Sequence, residues 1–425
     1  MTIWHKLIGS SIIISLLLTG CSSSSTIEEA SAPVLTEPTE QGQTLNVVTP
    51  DTTKKNTDAK SKYQIQTRLT DFQLITETSG IAWGLTRNSM RMYLTQDNGK
   101  TWSNISPAAN ILFSANPRYG KDIFFKDKMN GWIVRSASGT SETIVLHTTD
   151  GGENWNITSI PQTSDVSALF FNSSKRGWLL TSSNMSAGKE DKTLYRTDDG
   201  GSLWKVQMLS KNNSVQSQGQ VNKVISQNGY TIGMSFFNAT QGFVMVQDLG
   251  EPKLYTTNDA GSNWTIVPKF FNREKLGVCT SYNTAAPQLL SADNKEAWIP
   301  IGCNLGKNTK YNGYFTSDGG KTWTFTLFNM NWNTGVNKLI RPTFLNNKEG
   351  WSLHGSTLYH TLNQGKTWTA LPESDILKKN LVRYPEVVKI QFQSSNVGWM
   401  LIEKSDERRS LLMQTKDGGI TWNGL

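Results

Sequence analysis

Apolar and polar positions divide the chain into three unlike stretches. Residues 7–18 form an apolar run broken only by Gly and Ser, with Lys6 just before it. The run is too short for a comfortable membrane span and has the plan of a secretory signal. Residues 22–62 contain no aromatic residue and are rich in Ser, Thr, Pro and Glu. Such a stretch buries too little apolar surface to offset its chain entropy, which predicts a disordered tether. From residue 63 onward, short apolar runs alternate with polar turns as far as the C-terminus.

That alternation is periodic. The pattern Thr-x-Asp-x-Gly-x-x-Trp recurs as TQDNGKTW (95–102), TTDGGENW (148–155), TDDGGSLW (197–204), TNDAGSNW (257–264), TSDGGKTW (316–323), TLNQGKTW (361–368) and TKDGGITW (415–422). Only the sixth copy departs, with Asn363 in the Asp place, and successive Trp residues lie 45 to 60 residues apart. A second element precedes each copy: GIAW (80–83), NGWIV (130–134), RGWLL (176–180), QGFVM (241–245), EAWIP (296–300), EGWSL (349–353) and VGWML (397–401). Ahead of it lies an apolar, often Phe-rich segment, and after it a short apolar run such as Leu194-Tyr195. In the recurring turn, Asp or Asn accepts backbone amides and Gly supplies positive φ. The Trp then opens the returning strand and packs on the one before. Each unit therefore predicts four strands, A to D. One such sheet cannot bury both of its faces, so the seven units must pack on one another. The expected fold is all-β, a seven-bladed propeller of four-stranded antiparallel blades over residues 63–425. The last D strand is cut short at Leu425, while residues 63–67 alternate like a strand. We therefore expect 63–67 to complete the seventh blade and close the ring.

The boxes resemble the Asp-box (BNR) repeats of sialidase-like propellers. Paired in every unit with the Gly-Trp element, they resemble more specifically the photosystem II stability/assembly-factor family, over the whole of residues 63–425. The resemblance implies a propeller and, for the assembly-factor type, a basic patch that holds a partner's peptide. Leu18-Thr19-Gly20-Cys21 likewise resembles the lipobox of bacterial lipoproteins. This implies removal of residues 1–20, diacylation of Cys21, a lipidated tether over 21–62, and a cell-membrane anchor on the extracytoplasmic side.

Composition sharpens the picture at a few points. Of 15 Trp, seven close the hairpins, at 102, 155, 204, 264, 323, 368 and 422. Six sit on B strands, at 83, 132, 178, 298, 351 and 399, with Phe243 in the seventh place. Trp4 belongs to the signal, and Trp332, in a D–A connection, stands outside the repeat. Three Cys and four His leave little for zinc or iron–sulfur chemistry, so no metal or cofactor is expected. Cys279, at the start of strand A of the fifth unit, and Cys303, at the end of its B strand, could meet as a disulfide or pack as two reduced thiols.

In a propeller the D–A and B–C connections share one face and the box turns lie on the other. The box residues Asp97, Asp150, Asp199, Asp259, Asp318, Asn363 and Asp417 therefore read as structural. Arg68, Arg118, Arg341 and Arg383 fall just before A strands, with Lys223 and Lys338 in similar places. Their phasing would gather them, near Trp332, around one mouth of the channel, where clustered Arg suits carboxylates or phosphates.

Three lookalikes drop out. Gly-Lys-Thr at 99–101, 320–322 and 365–367 lacks the Gly of a phosphate loop five residues earlier. The run at 198–201 lacks the distal Glu of a calcium loop. His147 and His360 occupy one strand-C position in two units, which points to packing.

The sialidase Arg-Ile-Pro element is absent, since Leu-Thr follows Arg68 and Pro-Thr follows Arg341. Xyloglucanase-type enzymes set paired carboxylates across two propellers, and this chain has length for one. The expected function is a membrane-anchored, non-catalytic binding or assembly scaffold that holds a protein or peptide partner at a basic propeller face. The alternatives are a glycoside hydrolase and, given a formal net charge of +8, binding of an anionic envelope polymer. Nucleic acid is not expected outside the cytoplasm, and the propeller is expected to be monomeric.

Overall fold

The computed structural model describes residues 44–48, 62–66, 68–107, 112–113, 115–136, 141–161, 163–211, 223–291 and 293–425. The signal segment, Cys21 and most of the expected tether lie outside the described residues. The fold is a seven-bladed β-propeller. Seven antiparallel sheets follow one another along the chain, each with its strands in sequence order A-B-C-D. Blade 3 shows the plan at its fullest: Asp165–Phe171, Gly177–Ser186, Lys189–Thr197 and Lys205–Ser210. Blade 5 adds a short strand, Gln288–Leu289, which pairs with its B strand Ala297–Leu305.

The recurring turn is built by one hydrogen-bond set, repeated seven times. The Thr hydroxyl donates to the Asp or Asn Oδ1 at 2.8–3.1 Å. The same hydroxyl accepts the N–H of the following Gly at 2.8–3.0 Å. Oδ1 also accepts the N–H four residues on, at 2.8–3.0 Å. Thr thus links the acidic residue to the glycine, and the glycine adopts positive φ, 91° at Gly152 for example.

The Gly-Trp element has an equally local cause. The Phe that ends strand A lies over the Gly that starts strand B. A Cβ at Gly131, Gly177, Gly242, Gly350 or Gly398 would come within 2.3–2.7 Å of that ring. The B-strand Trp of the preceding blade covers the ring's other face: Trp132 on Phe171 at 3.6 Å, Trp178 on Phe236 at 3.5 Å, Trp351 on Phe392 at 3.8 Å. The D-strand Trp of the same blade meets the Phe edge-on, as Trp204, Trp264 and Trp422 do at 6.0–6.2 Å. At these three joints the B-strand indole also donates to the next blade's turn: Trp132 to Gly200 O at 2.7 Å, Trp178 to Ala260 O at 2.9 Å, Trp351 to Gly418 O at 2.8 Å. The two recurring elements of the repeat are therefore the two halves of these joints between blades. Ring contacts of this kind contribute roughly 0.5–1.5 kcal/mol each beyond their buried area.

The closure differs from the expectation. Blade 7 completes itself with Asn423–Gly424 as its D strand, so residues 63–67 are not needed there. Instead Lys62–Gln66 pairs antiparallel with Thr44–Val48, a segment that the composition had placed in the tether. Asn46 O accepts the N–H of Trp102 at 2.8 Å. Leu45 and Val47 are buried with Trp102, Trp399 and Leu412. The hairpin thus covers the seam between blades 7 and 1. The short aliphatic run Leu45-Asn46-Val47-Val48 in a polar-rich stretch marks the strand, and average composition over 22–62 hides it.

Candidate partner-binding face

The box turns and the A–B turns occupy one face of the propeller. The D–A connections and B–C turns occupy the other, and the seven residues proposed for partner binding all belong to this second face. Two of them, Arg68 and Arg341, are engaged in contacts between blades.

Arg68 is committed to blade 7. Its Nη2 lies 3.1 Å from Glu403 and 3.2 Å from Glu407, and the adjacent Leu69 N–H donates to Ser410 Oγ at 2.7 Å. Arg341 turns toward blade 5, where its Nη2 donates to Thr284 O at 3.1 Å beside Tyr311. Burial pushes the Tyr311 hydroxyl up, and the Arg341 charge opposes that rise. The hydroxyl in turn donates to Leu339 O at 2.7 Å. Both arginines act as braces between blades.

The other cations remain open. Arg118 is exposed on the connection into blade 2, where its backbone N–H donates to the Asp122 carboxylate at 2.9 Å. Burial raises the Asp122 carboxyl, against that hydrogen bond and the charges of Lys121 and Arg118. Lys223 is exposed on the connection into blade 4. Arg383 is exposed in the last turn of a helix, Asp375–Arg383, on the connection into blade 7. Lys338 is half-buried in a short 3-10 turn, Val336–Leu339, on the connection into blade 6, which also carries Trp332, 37% exposed.

Two of these connections are joined. Asn337 Nδ2 donates to Pro385 O at 2.7 Å, and Asn337 Oδ1 accepts the Val387 N–H at 2.8 Å. Ile340 packs on the cluster that includes Leu377 and Tyr384. Trp332, Lys338 and Arg383 therefore belong to one sector, while Arg118 and Lys223 stand on others. The helix interrupts a β repeat, so the periodic pattern does not predict it. Its signal was present in Ser374, whose hydroxyl accepts the Leu377 N–H at 3.3 Å as an N-cap. An open hollow of about 460 Å³ runs along it, lined by Ile376, Lys379, Asn380, Val382 and Arg383.

A buried ion pair also went unread. Lys192 is fully buried 3.4 Å from Glu190 and donates to the carbonyls of Ser226 and Gly229 at 2.9 Å. Glu190 accepts the N–H and hydroxyl of Thr231 at 2.7 and 2.6 Å. Burial draws the Lys192 pKa down while Glu190 opposes it. The pair fastens the connection into blade 4 to the end of blade 3.

Cys279 and Cys303 are joined by a disulfide with Cα atoms 5.4 Å apart. It ties the connection into blade 5 to strand B. His147 stacks on Trp132 at 4.7 Å and His360 on Trp351 at 4.9 Å, so both cover the joints described above. Among the described residues no three His, Cys, Asp or Glu side chains group as a metal site requires.

With this geometry in hand, the chain can be compared with known proteins. Residues 90–232, a minority of the chain, match the Sortilin-Vps10 family (sortilin, neurotensin receptor 3). No curated protein matches the chain in sequence. Among solved structures, it is similar to a GH74 xyloglucanase from Xanthomonas campestris at 12% identity and a TM-score of 0.50, covering 84% of this chain and 54% of that one. A puromycin-hydrolyzing peptidase from Mycobacterium tuberculosis is similar at 9% identity and a TM-score of 0.50, covering 84% and 53%. The chain thus spans about half the length of each of these enzymes. YCF48 bound to a D1 peptide is similar at 17% identity and a TM-score of 0.48, covering 82% and 93%. At these identities the likenesses show the propeller fold alone.

Proposed function

We propose that the chain is a non-catalytic binding scaffold of the Asp-box type. In this reading Cys21 anchors it by lipid to the extracytoplasmic side of the cell membrane, and the face of D–A connections holds a protein or peptide partner. One observation carries the reading. Arg118 and Lys223 are exposed on that face and make no ion pair among the described residues; on the box face Lys100, Lys321, Lys366 and Lys416 are exposed as well, but the open guanidinium of Arg118 stands on the side of the D–A connections. Open guanidinium and ammonium groups suit the carboxylates of a partner chain.

The geometry also weighs against glycoside hydrolysis. A sialidase-like site needs arginines converging on one carboxylate. Here Arg68 is held by blade 7 and Arg341 by blade 5. A panel of chromogenic glycosides that includes a sialoside tests this directly. Turnover abolished by Arg341→Ala would overturn the scaffold reading. For the partner, a photocrosslinking side chain placed at position 118 or 223 in living cells is expected to give a discrete adduct. Charge reversal at the neighbouring open cation should remove it. Adducts that are absent, or indifferent to charge, would count against a partner at this face.

A further inference from the structure

Exposed apolar side chains are shared unevenly between the two faces. Among the described residues, the box face presents Met129, Leu203, Leu362 and Ile420, scattered over four blades. On the opposite face Leu112 and Met185 are exposed on the connection into blade 2 and the B–C turn of blade 3, but most such residues collect over blades 4 to 7. Leu249, at the tip of the B–C turn of blade 4, is 96% exposed; Val278, on the connection into blade 5, is 79% exposed; and Val382, on the helix, is 80% exposed. Leu305, Trp332 and Val336 stand between them.

Polar contacts bind these tips into one continuous surface. Arg273 reaches Glu251 at 3.4 Å, which links the connection into blade 5 to the turn that carries Leu249. Thr280 N–H donates to Asn304 O at 2.7 Å, next to Leu305. Asn333 and Thr309 exchange backbone hydrogen bonds at 2.8 and 2.9 Å, next to Trp332. The Asn337 contacts then continue the surface to the helix.

Cations stand among the apolar tips. Lys307, Lys379 and Arg383 are exposed and make no ion pair among the described residues. Of the nearby acids, Glu251 and Glu373 are paired with Arg273 and Lys378, while Glu274 and Asp375 are exposed and are outnumbered by the cations of the same connections, Arg273, Lys275, Lys378, Lys379 and Arg383. A lone exposed aliphatic residue needs no explanation. A band of them at turn tips, with one indole and a surplus of cations, has the composition of an interfacial seat. There, aliphatic side chains enter the acyl boundary, Trp sits at headgroup level, and Lys and Arg meet anionic headgroups.

We infer that the face over blades 4 to 7 is a membrane contact, which seats the propeller on anionic phospholipid. The inference builds on the anchored reading above, since a tether fixes distance but not orientation. It leaves the connections into blades 2 and 4, with Arg118 and Lys223, open to a partner beside the bilayer.

Trp332 provides the test. The full chain is placed in vesicles of phosphatidylglycerol and phosphatidylcholine whose acyl chains are brominated, which quenches indoles at the acyl boundary. Emission is expected to fall relative to unbrominated vesicles, and the Trp332→Phe chain should lose that fall. Reversing Lys379 and Arg383 to glutamate should weaken the effect by at least about fivefold for each charge removed. High salt should act in the same direction. All these positions are solvent-facing, and an unchanged thermal melt verifies the fold of each variant. Emission indifferent to bromine, quenching that survives Trp332→Phe, or equal access of aqueous iodide with and without vesicles would overturn the contact. The last result would leave the patch to a soluble protein. The anchor is read separately. A Cys21→Ser chain that stays in the membrane fraction, with no acyl label on the parent, defeats the anchor, while the Trp332 comparison still decides the contact.

Discussion

At the residue scale, the repeat is a set of steric and hydrogen-bonding requirements that can be tested one atom at a time. Gly177 has ordinary backbone dihedrals, so its need for glycine is purely spatial. A methyl group there would meet the Phe171 ring at 2.3 Å, and that ring cannot retreat because Trp132 lies on its far side. Gly177→Ala is expected to cost about 1–3 kcal/mol in chemical denaturation, the usual range for overpacking a rigid core. The box carboxylate makes a different demand. Asp318 accepts the Thr322 N–H and hydroxyl at 3.0 and 2.7 Å. Asn363 holds the same place in blade 6, accepting the Thr367 N–H at 2.9 Å and donating Nδ2 to its hydroxyl at 2.7 Å. Because a threonine hydroxyl can turn from donor to acceptor, Asp318→Asn should fold with nearly parental stability. Asp318→Ala, which strands the turn amides, should lose about 1–2 kcal/mol. Equal losses in the two variants would show that charge, and not hydrogen bonding, holds the turn.

At the element scale, the hairpins and B strands were legible in the sequence because each is fixed by contacts within a few residues of a recurring motif. What was not legible depends on partners far along the chain or on sparse signals. The strand Thr44–Val48 is placed by buried Leu45 and Val47 and by backbone hydrogen bonds to partners distant in the chain. The helix Asp375–Arg383 declares itself through one cap. The basic residues fall before A strands, but phasing along the chain says nothing about side-chain direction. Arg68 meets Glu403 and Arg341 meets a carbonyl, so two of the phased arginines are braces between blades. The Lys192–Glu190 pair is the clearest case of an interaction that periodicity cannot see. Its ammonium is enclosed by backbone carbonyls of a connection more than thirty residues away. Lys192→Met should cost about 3–5 kcal/mol, because it leaves Glu190 buried and uncompensated. Adding Glu190→Gln should recover part of the loss. A double variant no more stable than Lys192→Met would show that the carbonyl contacts, and not the charge pair, carry the effect.

At the scale of the whole molecule, the ring has six titrating turns and one seam where the chain's own ends meet. Burial alone would raise the carboxyls of Asp97, Asp150, Asp199, Asp259, Asp318 and Asp417, but the turn hydrogen bonds outweigh it and hold all six below the ordinary value of 3.8. A carboxyl lowered in the folded state contributes stability above its unfolded pKa and loses it as pH falls through the folded value. Burial lowers the pKa of the His147 and His354 imidazoles too, so the folded state loses some stability once pH falls below their ordinary value of 6.5. A melt followed from neutral pH downward should therefore decline modestly through that range and steeply once pH reaches the ordinary carboxylate value and below. Where the ring first opens follows from the joints. Blade 1 ends strand A with Leu74, and Trp399 meets Phe72 only at a tilt, 5.8 Å away, so the seam to blade 7 has no parallel Trp–Phe stack. It closes instead through Trp399 with Trp102 at 5.7 Å, Trp399 Nε1 to Asn98 at 3.2 Å, Lys389 to Phe72 O at 2.6 Å, and the N-terminal strand laid across it. Covalent continuity supports every other joint but not this one. Val47→Asp places a charge inside that seam and should cost roughly 2–4 kcal/mol. Its effect should also be local. Hydrogen exchange is expected to quicken in blades 1 and 7 while blades 3 to 5 keep their protection, as sub-global opening requires. Uniform acceleration around the ring would mean that the propeller opens as one unit and that the N-terminal strand guards no particular joint.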